Sequence, residues 1–250
     1  MRRELIGGVH AVEALLEHAP ERVIRLWVKA GATRLDTLVT QAQSAGIPIE
    51  ACADGALDRR LPNTAHQGVV AEFTPQAPLD EGRLLERIEQ TAVPLVIALD
   101  GVQDPNNLGA ILRSAAASGA SAVVTAKDRA CGLTPAARKA SAGASEWLPL
   151  AVVTNLARTL ERLKTAGLWS IGLEMGADES IFDDAVDEWL VGPVVWVVGS
   201  ESDGLRTLTA QRCDRRVHIP MPGPMESLNV SVAAAVALFS TVRARAGRGS

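Results

Sequence analysis

Residues 219–239, IPMPGPMESLNVSVAAAVALF, leave the chain the fewest choices. Pro220, Pro222 and Pro224 fix φ and remove three backbone donors, and Gly223 supplies one freely turning position. A stiff loop with exposed carbonyls is expected there. From Ser227 the pattern becomes helical, with Ser227 or a neighbour as N-cap. Ser231, Ala233, Ala234, Ala235 and Ala237 make a slim helix able to pack closely against another element. A rigid loop feeding a helix N-terminus presents unpaired N–H groups and a positive dipole end.

The chain before this stretch alternates between two periods. Residues 93–250 carry the apolar runs VPLVIALD, SAVVTA, LWSIGLEM, GPVVWVVGS and RVHIPM, separated by helical patterns such as DPNNLGAILRSAAASG and NLARTLERLKTAG. Continuous apolar strands alternating with helices predict a parallel sheet with helices on both faces. The segment TPAARKASAGASEWL reads as a further helical stretch. Residues 1–73 read as a smaller α/β unit, with helices in HAVEALLEH and near residues 35–44, and strands in RVIRLWVKA, IPIEAC and GVVAEF. Two prolines and a loss of apolar period mark a linker over residues 74–92 containing one short helix, leaving 93–250 as the second domain.

Composition narrows the chemistry. The 250 residues are 47% apolar and 22% charged, a globular balance, and no apolar run approaches the ~20 residues that span a bilayer. Cys52, Cys131 and Cys213 are odd in number and lack CxxC spacing, and the four histidines show no ligand spacing. Free thiols, no metal and a cytoplasmic location are the expectations. The net charge of −4 gives no general attraction for nucleic acid. With three Phe and no Tyr, an aromatic platform for stacking bases is not expected either. Basic residues are nevertheless grouped locally, and 21 of the 25 are Arg, which suits bidentate phosphate contacts.

Open α/β sheets bind ligands beyond the carboxyl ends of their strands. Three polar loops stand in that position: Asp104 to Gly109 leading to Arg113, Gly199 to Gly204 after VVWVV, and the opening loop with Glu226, Ser227 and Asn229. Gly109 and Arg113 are four apart, so they are expected to share a helix face with the guanidinium uncovered. A dinucleotide fingerprint and a Walker lysine motif are both missing.

Taken in order, NNLGAILR, VVGSESDGL and IPMPGPMESLNVSVAAAVALF resemble the three signature motifs of the SpoU (SPOUT) family of trefoil-knotted RNA ribose 2′-O-methyltransferases. GGVHAVEALLE and AHQGVVAEF extend the likeness to the branch that methylates a guanosine of 23S ribosomal RNA. Residues 144–147 depart from the family's usual choices. The resemblance implies S-adenosylmethionine as cofactor and a knotted C-terminal SPOUT-type domain behind a small ribosomal-protein-like RNA-binding domain. It puts Asn107, Arg113, Glu201, Ser227 and Asn229 in catalytic and substrate-ordering positions, and Gly199, Ile219 and Leu228 in cofactor-holding ones. Arg22, Arg25, Lys29, His66 and Gln67 become the expected RNA contacts, although spacing alone reads His66 and Gln67 as a turn. It also implies a homodimer acting on 23S RNA or a large-subunit assembly intermediate. Alternatives on the same scaffold are a transfer RNA ribose methyltransferase and a non-catalytic RNA-binding protein.

Overall fold

The computed structural model describes residues 3–53, 55–62 and 65–247. They form two units, residues 1–77 together with 142–147, and residues 78–141 together with 148–250.

The first unit begins with β1 (Glu4–Gly7) and α1 (Val9–His18), followed by β2 (Val23–Lys29), α2 (Asp36–Ser44), β3 (Ile49–Cys52), α3 (Ala56–Arg60) and β4 (Val69–Phe73). Its sheet has the order β1-β4-β2-β3; only β2 and β3 run parallel. Strand alternation sends Leu26, Val28, Val69, Ala71 and Phe73 to one face, where Leu15, Leu16, Leu35 and Leu38 cover them. Trp27, Cys52 and Val70 face the other way, under Leu57 of α3. The later chain returns to this unit in a short 3₁₀ turn, Ala144–Glu146. Gly143 lies so close to α1 that a Cβ would come within 2.9 Å of the Ala14 side chain. The predicted helix over TPAARKASAGASEWL is broken here, because Ala142 and Gly143 take φ of 50° and 92°, outside the right-handed region.

The second unit continues with α4 (Glu81–Glu89), β5 (Leu95–Asp100), α5 (Pro105–Ala117), β6 (Ala122–Ala126), α6 (Pro135–Ala140), β7 (Leu150–Val153) and α7 (Leu156–Thr165). Then follow β8 (Trp169–Leu173), β9 (Glu179–Ser180), α8 (Asp184–Leu190), β10 (Val194–Gly199), α9 (Thr207–Arg212), β11 (Arg215–His218) and α10 (Val230–Ala246). The sheet order is β7-β6-β5-β10-β8-β11-β9, and every pairing is parallel. The α/β class and the parallel sheet read from the apolar runs are those of the structure.

Alternation along the buried strands fills both faces. Val96, Ala98, Val195 and Val197 meet Leu84 and Ile88 of α4 and Leu156, Leu160 and Leu163 of α7. On the other face Trp196 is fully buried and donates its indole N–H to Thr241 of α10 at 2.8 Å. Arg245, one turn on, donates to the carbonyls of Leu190, Gly192, Val93 and Pro94 and so fixes the end of α10 beneath the sheet. β5 and β10 are adjacent, yet the chain leaves β5 toward β6 and reaches β10 by way of β8. Their carboxyl ends therefore lie side by side where the connections diverge, the place where open sheets form a crevice.

Candidate functional site

Three loops meet at that crevice. β5 and β10 end in register, Asp100 opposite Gly199. After Gly199 the backbone folds back on itself: Ser200 and Gly204 exchange N–H···O bonds at 3.1 Å each. A Cβ on Gly199 would lie 2.0 Å from the Gly204 carbonyl carbon, so only glycine permits this return. Asp100, 1% exposed, then accepts the backbone N–H of Arg206 at 2.9 Å and faces its guanidinium at 3.5 Å. The loop that carries Glu201 is thus pinned where it starts and where it ends.

α5 starts at Asp104, whose carboxylate caps the helix through Asn106 N–H at 2.9 Å, with Pro105 at its first position. This sets Asn107 in the first turn, 8% exposed, with its Nδ2 donating to Glu201 Oε1 through a short hydrogen bond. α10 starts three residues later than Ser227, capped by Asn229, whose Oδ1 accepts from Ser231 N–H at 2.9 Å. The amide of Asn229 then donates to Asn107 Oδ1 and to Glu201 Oε1, both at 3.1 Å. Asn107, Glu201 and Asn229 form one network drawn from three loops. Both amides donate to the same carboxylate oxygen, which leaves Oε2 of Glu201 without a bond among the described residues.

Beside this network lies a cleft of about 380 Å³ lined by Gly199, Glu201, Ile219, Met221, Ser227 and Leu228, among others. The three residues expected to hold a cofactor therefore share one cavity. The carboxyl end of β8 contributes Leu173 and Glu174 to the same cavity.

Arg113 is not among the cleft-lining residues. It is exposed on α5 and makes no hydrogen bond or ion pair among the described residues. Gly109 does not uncover it. That glycine is buried against α6, where a Cβ would come within 2.5 Å of Ala137 O and of the Ala140 side chain, and Arg113 points away to solvent. Arg138, from one of the local basic groups, is buried rather than presented.

In the first unit Lys29, His66 and Gln67 line a single cavity. Arg22 and Arg25 do not; Arg25 pairs with Glu72 at 3.3 Å and Arg22 lies 3.9 Å from Glu21. Asp100 and Arg206 escaped the sequence reading. The available signal was a lone carboxylate closing an otherwise apolar strand, since a buried charge requires a partner.

A family model described as the SpoU rRNA Methylase family matches residues 94–239. The chain belongs to this family. A second family model, RNA 2′-O ribose methyltransferase substrate binding, matches residues 5–79. This SpoU chain is 46% identical to the 23S rRNA (guanosine-2′-O-)-methyltransferase RlmB of Pseudomonas putida over 245 residues, 97% of each chain. It is 43% identical to the protein of the same name from Haemophilus influenzae, over 98% of this chain and 99% of that one. Among solved structures, the SpoU methyltransferase AviRb from Streptomyces viridochromogenes, in complex with the cofactor AdoMet, has a TM-score of 0.76. It shares 26% identity, with 98% of this chain and 91% of that chain covered.

Proposed function

We propose that this chain transfers a methyl group from S-adenosylmethionine to the ribose 2′-hydroxyl of a guanosine in 23S ribosomal RNA, free or in a large-subunit assembly intermediate. The observation that carries the reading is the Asn107–Glu201–Asn229 network at the edge of the cleft between the carboxyl ends of β5 and β10. Similarity to the 23S enzymes along nearly the whole chain supports the substrate.

The cleft fits the cofactor. Its volume falls in the roughly 300–1,000 Å³ range of small-molecule sites. Ile219, Met221 and Leu228 offer apolar surface for an adenosine, and Glu174, Glu201 and Glu226 set carboxylates around a position suited to a cation. Bound there, S-adenosylmethionine supplies a methyl group made electrophilic by its sulfonium. The chain's own task is to align the ribose oxygen and dispose of its proton. Two amides fix Glu201 Oε1, so the carboxylate cannot rotate, and its Oε2 is the acceptor for the hydroxyl proton, directly or through water. Holding the reacting groups in line supplies several kcal/mol of barrier lowering, about 7–11 at best. Arg113 stays charged, since guanidinium does not deprotonate in proteins. It serves to bind phosphate and to stabilise the developing alkoxide.

The site needs Arg113, which is missing from the cleft of its own chain, and a homodimer supplies it from a second copy. Val232, Phe239 and Val242 support this arrangement, since they leave an exposed apolar stripe on α10. The same reading makes residues 1–73 the RNA-selecting domain, 74–92 the linker, 93–250 the catalytic domain with the family's knot, and the cytoplasm the place of action.

Mapping ribose methylations in 23S RNA from cells with and without the protein tests it. One guanosine should lose its 2′-O-methyl group and regain it with the wild-type chain but not with Asn229→Ala. An unaltered 23S methylation map would refute the assignment.

A further inference from the structure

The cavity of about 570 Å³ in the first unit lies between Lys29, Thr33 and Arg34 on one side and Asp58, His66 and Gly68 on the other. We propose that it receives one splayed nucleotide of the RNA substrate, with the phosphodiester against Lys29 and Arg34. The identity of the ligand as RNA rests on the methyltransferase reading; the binding site itself rests on the geometry that follows.

Its wall is built and rigid. Gln67 takes φ 52°, a left-handed conformation that costs energy in a residue with a side chain. Five hydrogen bonds hold it and its neighbours there. Val9 N–H donates to Gln67 Oε1 at 3.0 Å and Arg34 Nη2 to Gln67 O at 2.5 Å. Lys29 N–H donates to Gly68 O at 2.8 Å, and Val69 N–H to His66 O at 3.0 Å. The fifth, from Gly68 N–H to His66 Nδ1 at 3.1 Å, makes Nδ1 the acceptor and puts the ring proton on Nε2, which donates to Asp58 Oδ1 at 3.1 Å. The imidazole is thereby a fixed wall. Gln67 Oε1 is spent on the N-terminus of α1, so this residue shapes the cavity.

Charge and shape name the ligand. Arg34 uses one guanidinium nitrogen on the loop and keeps further donors in the planar fork that suits phosphate. The unit as a whole is not basic, 8 basic against 9 acidic residues over 1–73, so two cations at one cavity are a local feature. Among the described residues that line the cavity Asp58 is the one carboxylate, and it is engaged by His66. No Phe, Tyr or Trp is among the described residues that line it, so contact with the RNA backbone carries the recognition more than an aromatic platform does. The volume suits a nucleotide rather than a bare phosphate.

Two variants at exposed positions give opposite signs. Thr33→Glu adds a carboxylate at the cavity without breaking a side-chain hydrogen bond, and Asp58→Asn removes a charge but keeps an acceptor for His66. Steady-state methylation of an unmodified 23S transcript by the full-length protein is the assay. Thr33→Glu should raise KM for RNA about tenfold, and Asp58→Asn should lower it about twofold, the effect falling on KM rather than kcat. Unmoved KM values, or shifts of the same sign, would overturn the proposal. Hydrogen exchange of the wild-type protein provides a second reading: adding the transcript should slow exchange at residues 31–34 and 65–68, and no slowing there counts against the site. Should the wild type methylate neither the transcript nor large-subunit assembly intermediates, the methyltransferase reading falls, and filter-binding Kd values of the same variants decide the cavity by the same two signs.

Discussion

Asp100 accepts the backbone N–H of Arg206 at 2.9 Å, across 106 residues of chain, from a position that is 1% exposed. The carboxylate closes a loop whose other end is fixed by the register of Gly199 with Asp100 itself. Asp100→Ala should leave the part-buried Arg206 N–H without its charged acceptor, at a cost of about 1–3 kcal/mol. With the loop released, Glu201 loses its fixed relation to the cleft, and methyl transfer should fall at least about tenfold, or 1.4 kcal/mol. Asp100→Asn keeps an acceptor and should be milder on both counts. Denaturant unfolding and methyl-transfer rates of the two variants check this; an alanine variant as stable as wild type would show that the loop is anchored elsewhere.

Asn229 caps α10 and also bridges Asn107 to Glu201, so its two functions can be separated. Serine is a good N-cap but cannot donate to both partners. Asn229→Ser should therefore keep stability within about 0.5 kcal/mol of wild type, whereas Asn229→Ala should lose about 1 kcal/mol. Activity should drop alike in both. Thermal unfolding alongside a methylation assay reads the two outcomes, and a serine variant with full activity would show that the bridge is dispensable.

Gly109 lets α5 and α6 touch. A methyl group there would meet Ala137 O and the Ala140 side chain at 2.5 Å, backbone and a stub that cannot swing aside. Gly109→Ala should destabilise the second unit by about 1–3 kcal/mol as an overpacking change, despite alanine's better helix propensity. A neutral or stabilising result in denaturant unfolding would mean that α6 gives way freely.

Much of this was legible in the sequence because the strands of the parallel sheet are buried on both faces. Unbroken runs such as Leu95–Asp100 and Val194–Gly199 have few other uses. The polar loops behind them were legible for the same reason. What periodicity could not show is anything shorter than a period or longer than a loop. β9 has two residues and β1 four, too few for alternation to register. α6 stops at Ala140 because the backbone turns left-handed at Ala142 and Gly143, which an alanine- and serine-rich run does not announce. The bond from Asn229 to Asn107 spans 122 residues, so only the fold brings the two amides together. The motif resemblance named both residues without showing that they touch.

Asp214 gives the fold a pH dependence of definite sign. Burial works to raise its pKa, but the Lys164 ammonium at 2.9 Å and hydrogen bonds from Ser170 outweigh it and hold the carboxyl below its ordinary value of 3.8. A depressed folded-state pKa stabilises the native state above the unfolded value and loses that contribution as pH falls through the folded one. The wild type should accordingly be more stable than Asp214→Asn near neutrality, with the gap closing only below about pH 3.8. The neighbouring Cys213 thiol, pushed up to about 12 by burial first and by the Asp214 charge second, should resist alkylation at pH 8 in the folded protein. Unfolding curves across pH for the two proteins test the sign; a gap that widens on acidification would reverse it.

Arg113 stands exposed and without a partner among the described residues, outside the lining of the cleft, while Asn107, Glu201 and Asn229 are bound to one another, and the proposed mechanism takes it from a second copy. Two defective chains should then repair each other. In a mixture of Arg113→Ala and Asn229→Ala protomers, a heterodimer carries one site with both defects and one with neither. At full exchange half of the dimers are heterodimers with one intact site each, so activity should recover to about a quarter of the wild-type value from near zero in either variant alone. Mixing must follow subunit exchange, shown by mass-tagged chains, so that a failure cannot be blamed on separate homodimers. Exchange without recovery would mean that each chain completes its own site, and that Arg113 reaches the RNA from the same copy that holds the cofactor.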